Sequence, residues 1–426
     1  MEIKVRPRTL MWLGTCAMFL FLFVTVFTTT DQGASGILFY AANLSGLSTL
    51  NDHHNFIQLQ TTPSISSKYS YRNTVNRCGR RKENIMFLKT HKCASSTVQN
   101  ILMRFADENR LTVVLPPDGN YLGHPVKFTP NLTLPLPSVF SDHFNIFCHH
   151  TRFHEANTVS IMPRDTVFIS ILKDPATMFE SLYNWVSLDV RYGVPLETFL
   201  ENPQRYYRNS TTKDFARNPM MFDFGLDQED FDRKSIIQEK INELDIRFSL
   251  IMITEYMDES LVLLRELLCW EWEDLVVFRV NSRRTQYKKK LSSEVAKKIR
   301  AWNSADSALY EYFLKRFQAQ AAKYGAKRIR QDVEILRDLT NKWYNFCVQK
   351  EITKNDTADL RFKVWHESVN GFQLTDVGLQ TERCIRLATA ENPYTDTLRL
   401  KLWPNHISPA TKQKLKVLTQ RSPEFW

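Results

Sequence analysis

The sequence contains little glycine and only one long hydrophobic run. It has 12 Gly among 426 residues against 28 Phe, 15 Tyr and 9 Trp, which excludes collagen-like and low-complexity chains. No repeat of 20 to 50 residues recurs, which excludes solenoids and propellers. With 43% hydrophobic residues, 24% charged residues and a net charge of +10, the composition is typical of a globular protein. A multi-span membrane protein is excluded, because a single apolar run is long enough to cross a bilayer.

That apolar run extends from Leu10 to Thr28 and contains no charged residue. It is about long enough to span a hydrocarbon core of ~30 Å. Three basic residues precede it, and no further lysine or arginine occurs before Lys68. This asymmetry predicts a cytoplasmic tail over residues 1–9, an uncleaved signal anchor over 10–28 and a luminal remainder. A cleaved signal peptide is the alternative, but its apolar core is usually shorter and ends at a small-residue cleavage site.

Sequons and cysteines fit a luminal chain. Four N-x-S/T sequons predict glycosylation at Asn43, Asn131, Asn209 and Asn355. Six cysteines follow the anchor: Cys78, Cys93, Cys148, Cys269, Cys347 and Cys384. They could form up to three disulfides, whose pairing the sequence leaves open. None has C-x-x-C spacing, which disfavours a zinc ribbon.

Composition divides the luminal part into three regions. Residues 29–77 are rich in Ser, Thr, Asn and Gln and are interpreted as a stem, 78–345 as the catalytic domain, and 346–426 as a C-terminal extension without an assignable pattern. Apolar runs predict strands at 84–88, 144–148, 166–172 and 248–254, with a fifth at 276–280. Helical spacing predicts helices at 95–109, after Pro175, at 259–268 and within 306–343. This alternation predicts an α/β fold with a mostly parallel sheet flanked by helices, whose ligands bind where the strands end.

The loop after the first strand, Lys89–Thr97, combines lysines and hydroxyls before a helix. A helix N-terminus with exposed amides and a dipole favours anions, and Lys89, Lys92 and the hydroxyls of Ser95, Ser96 and Thr97 would add donors. The loop contains no glycine, which disfavours a nucleotide triphosphatase of the P-loop type. An ordinary basic strand end with a serine N-cap is the alternative.

A second candidate anion site follows the third strand. Lys173 stands at the strand end, and Ser181 lies eight positions later in the predicted helix. A cation at the strand end and a hydroxyl two turns into the helix can reach one phosphate. A solvated Lys-Asp-Pro turn is the alternative.

Together these two segments resemble the galactose-3-O-sulfotransferases of the Golgi. The resemblance rests on FLKTHKCASST at 87–97, HHTRFH at 149–154, ESLVLLRELLCWEWED at 259–274 and WNSADSALY at 302–310, and covers about residues 78–317. It implies a P-loop-like sulfotransferase fold and transfer of sulfate from 3′-phosphoadenosine 5′-phosphosulfate (PAPS) to the 3-hydroxyl of a terminal β-galactose on a glycolipid or glycoprotein. The first loop would bind the 5′-phosphosulfate, and Lys173 with Ser181 the 3′-phosphate.

Two positions depart from the family pattern. Lys173 stands where arginine is usual, so a two-pronged phosphate contact becomes a single point charge. Cys93 stands where threonine is usual, which removes a hydroxyl and places a thiol in the donor loop.

The implied chemistry needs a cation at the leaving oxygen of the nucleotide and a base on the acceptor hydroxyl. The resemblance assigns the first role to Lys92, with Lys89 as the alternative, and requires no metal. Histidine suits the second role, and His150 is the predicted base. Arg152 and His154 are predicted to contact the acceptor sugar. A zinc pair or a core histidine is the alternative for this cluster.

Other basic and aromatic residues are further candidates. Arg283 and Arg284 follow the fifth predicted strand and would cover the nucleotide phosphates, unless they form a solvated basic loop. Four aromatic residues are candidates to stack on a sugar or to lie in the core: Tyr183, Trp185, Trp302 and Tyr310. Nucleic-acid binding is disfavoured by the luminal location.

Two other functions stay open. Asp230-Phe231-Asp232 resembles the metal-binding triplet of a luminal glycosyltransferase, although it lies in an acidic stretch that favours a solvated turn. The departures at Lys173 and Cys93 allow a non-catalytic sugar-binding relative.

Overall fold

The computed structural model describes residues 78–137, 142–208, 213–279, 282–287, 290–357, 359–364 and 366–404. The predicted tail, anchor and stem lie outside these ranges, as do the sequons at Asn43 and Asn209. Among the described residues, no helix has both the length and the apolar character to cross a membrane. The other two sequon residues, Asn131 and Asn355, are exposed.

A five-stranded parallel sheet forms the centre of the fold, in the order β2-β4-β1-β6-β7. Its strands are β1 (Ile85–Leu88), β2 (Val113–Val114), β4 (Ile146–Phe147), β6 (Val167–Leu172) and β7 (Leu250–Ile253). Two small sheets accompany it, one of β3 (Tyr121–Lys127) with β5 (His150–Arg152) and one of β8 (Val348–Ile352) with β9 (Gly371–Leu374). All four residues of β1 are buried, and burying each such apolar side chain contributes roughly 1.5–3 kcal/mol, which fixes the strand that leads into the first loop.

Helices pack around this sheet. In the first half of the chain they are α1 (Ser95–Glu108), α2 (Glu155–Val159), α3 (Pro175–Trp185), α4 (Leu188–Tyr192), α5 (Leu196–Phe199), α6 (Pro203–Arg208), α7 (Lys213–Ala216) and α8 (Pro219–Asp223). In the second half they are α9 (Lys234–Arg247), α10 (Met257–Leu268), α11 (Trp272–Leu275), α12 (Ser293–Trp302), α13 (Ser304–Tyr324), α14 (Ala326–Cys347), α15 (Asp376–Gln380), α16 (Glu382–Ala388) and α17 (Glu391–Leu402).

The predicted α/β class with a mostly parallel sheet is confirmed. The first four predicted strands lie within one or two residues of β1, β4, β6 and β7 at most positions. The fifth is wrong over 276–279, which form no strand, because Arg104 donates to the carbonyl of Val276 and occupies an acceptor that a ladder would need. The long predicted helix divides at Gly325, whose φ of 108° breaks the helical path between α13 and α14.

The C-terminal extension is folded. A disulfide joins Cys347 at the end of α14 to Cys384 in α16, and α17 packs against α1. Residues 78–404 belong to one compact unit. The extension therefore lies beside the helix that begins at the first candidate anion site.

Candidate functional site

The candidate residues lie where β1, β4 and β6 end. These strands are parallel neighbours, with Met86 opposite Phe147 and Phe168. Their carboxyl ends therefore meet at one edge of the sheet. The loops after Leu88 and Leu172 and the segment after Phe147 all begin there, as the sequence predicts.

The first loop curls tightly although it contains no glycine. Lys92 and Ala94 adopt left-handed backbone conformations, with φ of 57° and 58°. Such conformations cost a non-glycine residue on the order of 1–3 kcal/mol and persist where the surroundings impose them, often at functional sites. Ala94 is the N-cap of α1 and supplies no side-chain cap, so the helix begins with amide groups and a dipole directed into the loop.

The loop hydroxyls are engaged within the protein. Ser95 Oγ donates to the carbonyl of Thr90 at 2.6 Å, and Ser96 Oγ donates to Glu391 Oε2 at 2.7 Å. Thr97 is buried and lines a neighbouring cavity. Ser95 thus stabilises the loop, Ser96 connects it to Glu391, and Thr97 faces the cavity.

Cys93 points into the protein interior. Its Sγ lies 3.2 Å from the carbonyl oxygen of His91 and 3.6 Å from Met220 Sδ, and the residue is fully buried. Burial raises the pKa of this thiol well above its usual value. The substitution therefore adds an inert core thiol to the loop.

Four cationic side chains lie in or near the loop: Lys89, Lys92, Lys173 and Arg283. Burial first, and then the charges of Lys173, Arg283 and Lys89, lower the pKa of Lys92 to about 7. Burial also lowers the pKa of Lys173, with a contribution from Arg283. Positive charges that lower one another's pKa values form a site that favours the binding of a multiply charged anion.

The second anion site is built on α3. Lys173 Nζ lies 3.5 Å from the carbonyl of Thr177. Ser181 lies about one helical turn after Thr177 and is buried. Arg283 makes two bonds to Glu180 of α3, at 2.9 and 2.6 Å.

Arg284 differs from its neighbour. Its amide donates to the carbonyl of Ser368 at 2.9 Å, and its side chain is only half-buried. Of the two arginines, Arg283 is the one whose charge lowers the pKa of Lys92. The following Lys288 and Lys289 lie outside the described residues.

His150 is not arranged as the predicted base. Its Nε2 accepts from Lys89 Nζ at 2.8 Å and its Nδ1 donates to the carbonyl of Lys89 at 3.1 Å. Both ring nitrogens are thus occupied by one lysine. Burial and the charge of Lys89 hold the pKa of His150 well below its usual range. His149 points the other way, as strand alternation predicts, and contacts Thr395.

Arg152 and His154 have structural contacts. The guanidinium of Arg152 donates to the carbonyls of Phe222 and Leu226 and pairs with Asp227 at 2.7 Å. His154 caps α2 by accepting from the amide of Asn157 at 3.3 Å. These contacts hold the segment after β5 in place, and they give no support to the predicted sugar contacts.

His91, which the sequence places in the donor loop, has the carboxylate partner that is expected of a general base. His91 Nδ1 lies 2.9 Å from Asp223 Oδ1, and its Nε2 lies 3.4 Å from the hydroxyl of Tyr121. Burial lowers the pKa of His91, although Asp223 opposes the shift. Burial disfavours ionisation of Asp223, but the charges and hydrogen bonds of His91 and His124 outweigh it and lower the pKa to about 2. An ionised carboxylate thus orients a neutral imidazole.

His91, His124 and Asp223 are also close enough together to hold a metal ion, with ligand atoms within 4.8 Å of one another. Both histidines approach the same carboxylate oxygen, at 2.9 and 3.3 Å. Sequence reasoning missed Asp223 and His124 because 132 positions separate Asp223 from His91, and neither stands in a recognisable motif.

An open cavity of about 630 Å³ is lined by Tyr121 and His124, which both contact His91. Tyr121, His124, Trp185 and Phe215 contribute to its wall. Lys92 Nζ lies 5.1 Å from the centre of the Trp185 ring, which places the cavity next to the cation cluster. Trp185 is therefore the predicted stacking residue that reaches a cavity.

The other aromatic candidates have structural roles. The hydroxyl of Tyr183 donates to the carbonyl of Val194, Trp302 Nε1 donates to the carbonyl of Ala216, and Tyr310 donates to Glu255. Both aspartates of the D-x-D-like triplet form ion pairs, Asp230 with the nearby Arg233 and Asp232 with Arg217.

A second cavity, of about 410 Å³, lies beside the start of α1. Thr97, Phe278, Arg279 and Tyr344 line it, together with Phe372 from the C-terminal extension. Its wall thus contains a residue of the donor loop and aromatic side chains from three other parts of the chain.

Glu391 lies at the candidate site, and the sequence pattern gave no means to place it there. It begins α17, in a region without assignable periodicity, yet its carboxylate contacts Lys89 at 2.9 Å and Ser96 at 2.7 Å and also bonds Asn120. Burial opposes its ionisation, but Lys89 and the hydrogen bonds from Ser96 and Asn120 lower its pKa.

Comparison with known proteins identifies the family of this chain. Residues 17–402 match the galactose-3-O-sulfotransferase family. The chain is 35% identical to galactosylceramide sulfotransferase of Homo sapiens over 338 residues, which cover 76% of this chain and 79% of the relative. It is 40% identical to galactose-3-O-sulfotransferase 2 of Homo sapiens over 273 residues, 62% of this chain and 68% of the relative, and 35% identical to galactose-3-O-sulfotransferase 3 of Mus musculus over 343 residues, 74% and 77%. This chain belongs to the galactose-3-O-sulfotransferase family.

Proposed function

We propose that the protein transfers sulfate from PAPS to the 3-hydroxyl of a terminal β-galactose on a glycolipid or glycoprotein. Family membership supports the reaction class. The observation that carries the proposal is the cluster of Lys89, Lys92, Lys173 and Arg283 at the carboxyl edge of the sheet, in which Lys92 has a pKa lowered to about 7 by burial and by the other three charges. A donor with two phosphate positions and a sulfate would offset that repulsion.

The donor would extend between the two anion sites, as in a P-loop-like sulfotransferase fold. The amides at the start of α1, with Ser96 and Thr97, would hold the 5′-phosphosulfate, and Lys173 with Ser181 the 3′-phosphate. The cavity beside Thr97, with Phe278 and Tyr344, suits a planar purine ring. Lys92 would stabilise the negative charge that grows on the bridging oxygen as the S–O bond breaks.

His91 would act as the base on the acceptor hydroxyl, in place of His150. Asp223 fixes the tautomer in which Nδ1 carries the proton, so Nε2 is the accepting nitrogen. That nitrogen faces Tyr121, which lines the open cavity. A neutral imidazole can take the hydroxyl proton at near-neutral pH. The lowered pKa of His91, caused first by burial, keeps the ring neutral there.

The open cavity would receive the galactose. Its volume of about 630 Å³ exceeds that of one hexose, and Tyr121 and His124 in its wall both contact His91. Trp185 and Tyr121 present aromatic surfaces on which the apolar face of a sugar can stack. Since Lys92 also approaches Trp185, an acceptor bound in this cavity would lie close to the donor site.

We also propose a Golgi membrane location, with a single-pass anchor over residues 10–28 and a luminal catalytic body. The apolar run and the basic residues before it support this orientation. Exposed Asn131 and Asn355 are suitable glycosylation acceptors. Glycosidase sensitivity of the full-length chain in microsomes, together with protease protection of its C-terminal part, tests the topology.

The decisive test is transfer of radiolabelled sulfate from PAPS to galactosylceramide, lactosylceramide and N-acetyllactosamine, each compared with a 3-O-methylated galactose acceptor. We expect label on at least one unblocked acceptor and none on the blocked ones. Binding is tested separately with the product nucleotide, adenosine 3′,5′-bisphosphate, which at ~100 times its Kd should stabilise the protein by ~2.7 kcal/mol. Absence of a thermal shift and of transfer would refute the proposal. Binding without transfer would indicate the non-catalytic alternative, and transfer that required manganese would contradict the metal-free mechanism.

A further inference from the structure

The first described residues pack against the end of α10. The amide of Lys82 donates to the carbonyl of Leu268 at 2.9 Å, and Trp270 Nε1 donates to the carbonyl of Lys82 at 2.9 Å. Trp270 is buried, so this contact is part of the protein interior. The backbone around Cys78 is thereby held beside the backbone around Cys269.

The two cysteine side chains converge on one atom. Cys78 Sγ lies 3.7 Å from the carbonyl oxygen of Glu266, and Cys269 Sγ lies 4.0 Å from the same oxygen. The pKa of the Cys78 thiol is raised to about 11, first by burial and then by a hydrogen bond to Cys269, which places the two thiols in direct contact. Cys269 has a left-handed backbone, with φ of 54°, which ends α10 and turns its side chain toward Cys78.

Accessibility separates this pair from the other free cysteines. Cys78 and Cys269 are both partly exposed, whereas Cys93 and Cys148 are fully buried and lie in different surroundings. A thiol must be reached by an oxidising partner before it can exchange. The pair at the surface is therefore open to oxidation and the two core thiols are protected from it.

The same chain already contains a disulfide, Cys347–Cys384. Disulfides form and persist in oxidising compartments. Two adjacent, accessible thiols in the same molecule experience the same conditions.

We propose that Cys78 and Cys269 form a second disulfide in the mature protein, while Cys93 and Cys148 remain thiols. The oxidant is a protein disulfide of the thiol–disulfide oxidoreductase class. One cysteine thiolate attacks that disulfide to form a mixed disulfide, and the second thiolate then displaces the oxidoreductase. One S–S bond forms in this protein and one breaks in the oxidant, which leaves as a dithiol carrying the two electrons and two protons.

This bond would connect distant parts of the chain. It joins positions 78 and 269, which are 269 − 78 = 191 residues apart in the sequence. Closing so long a loop constrains the unfolded chain strongly, and it would fix the segment that leads into β1 and the donor loop. The end of the predicted stem would thus be attached to the catalytic body.

Peptide mapping of the full-length protein from a secretory expression host tests the bond directly. The protein is denatured without reductant, its free thiols are alkylated, and it is digested. We expect Cys93 and Cys148 to be alkylated, and a linked pair of peptides containing Cys78 and Cys269 that separates only after reduction. Alkylation of both Cys78 and Cys269, with Cys347–Cys384 intact as the internal positive control, would overturn the proposal.

Serine variants supply a second measurement. Cys78→Ser, Cys269→Ser and the double variant should each lower Tm by on the order of 5 °C, because each removes the same bond. The double variant should therefore be no worse than either single variant. Reductant should remove the part of the Tm difference between wild type and variants that this bond contributes. Additive losses in the single and double variants would show that the two cysteines act separately and would contradict the bond even if mapping failed.

Discussion

Nζ of Lys89 lies 2.9 Å from Oε1 of Glu391, although 302 positions separate the two residues. The lysine ends up almost fully buried, with 2% of its side chain exposed, so its charge requires a partner inside the protein. Glu391 supplies it and also binds Ser96. The C-terminal extension is thus connected to the donor loop by a buried ion pair.

Glu391→Gln should destabilise the protein by about 3 kcal/mol, because it leaves the buried ammonium of Lys89 without a counter-charge while keeping hydrogen-bonding capacity. Urea unfolding measures the change. Glu382→Gln is the matched control, since the Glu382 carboxylate is half-exposed and pairs with Arg386 within the neighbouring helix, α16. This substitution should change stability by less than about 0.5 kcal/mol. Equal effects of the two substitutions would show that the buried pair contributes little.

Lys92→Ala should abolish transfer while the protein stays folded. The charge contributes to nucleotide binding and contributes more in the transition state, where the S–O bond breaks, so kcat should fall more than donor affinity. Steady-state kinetics with a binding assay for the product nucleotide separates the two. Lys297→Ala, an exposed lysine on α12, serves as the control. Activity retained by Lys92→Ala would transfer the role to Lys89 or end the mechanism.

Nucleotide affinity should decrease as pH rises above about 7. In the free protein the pKa of Lys92 is lowered to about 7 by burial and by the neighbouring cations, and a bound polyanion raises it. Below that pH the lysine is already protonated. Above it, binding must take up a proton, so affinity should fall by at most about tenfold per pH unit. Calorimetric titration of adenosine 3′,5′-bisphosphate from pH 7 to 9 measures this.

The control for that pH dependence is Lys92→Arg, whose side chain stays charged over the whole range. It should bind with an affinity that is nearly constant with pH. A pH slope that persists in this variant would assign the titration to another group.

His91→Ala should reduce kcat by roughly 10²- to 10⁴-fold, the usual contribution of a general base. Asp223→Asn should also lower kcat strongly, because it removes the charge that orients the imidazole. His154→Ala should retain activity, since this residue caps α2. If His150→Ala were inactive with normal nucleotide binding and His91→Ala were active, the sequence-based choice of His150 would be the right one.

Lys173→Arg should bind the product nucleotide as well as the wild type or better, because a guanidinium makes the two-pronged phosphate contact that lysine lacks. Lys173→Ala should weaken binding. Equilibrium binding of adenosine 3′,5′-bisphosphate, compared with that of adenosine 5′-monophosphate, isolates the 3′-phosphate contribution. No loss in Lys173→Ala would show that this side chain does not reach the nucleotide.

The sequence by itself determined the elements that depend on neighbours along the chain. Apolar runs and β-branched residues located β1, β6 and β7, and the proline after Asp174 marked the start of α3. Short motifs located Lys92 and Lys173, because parallel strands bring their carboxyl ends to one edge. Helix termini and strand ends are local properties, so these predictions required no knowledge of distant residues.

Tertiary structure alone decided which side chains became partners. His150 lost the arrangement of a base because Lys89 occupies both of its ring nitrogens, and His91 gained it because α8 brings Asp223 within 2.9 Å. Glu391 reached the donor loop only because α17 packs on α1. Burial and charge act through space, with strengths that depend on distance and solvent exclusion. Sequence spacing does not encode those distances, so the roles of these residues follow from the folded protein.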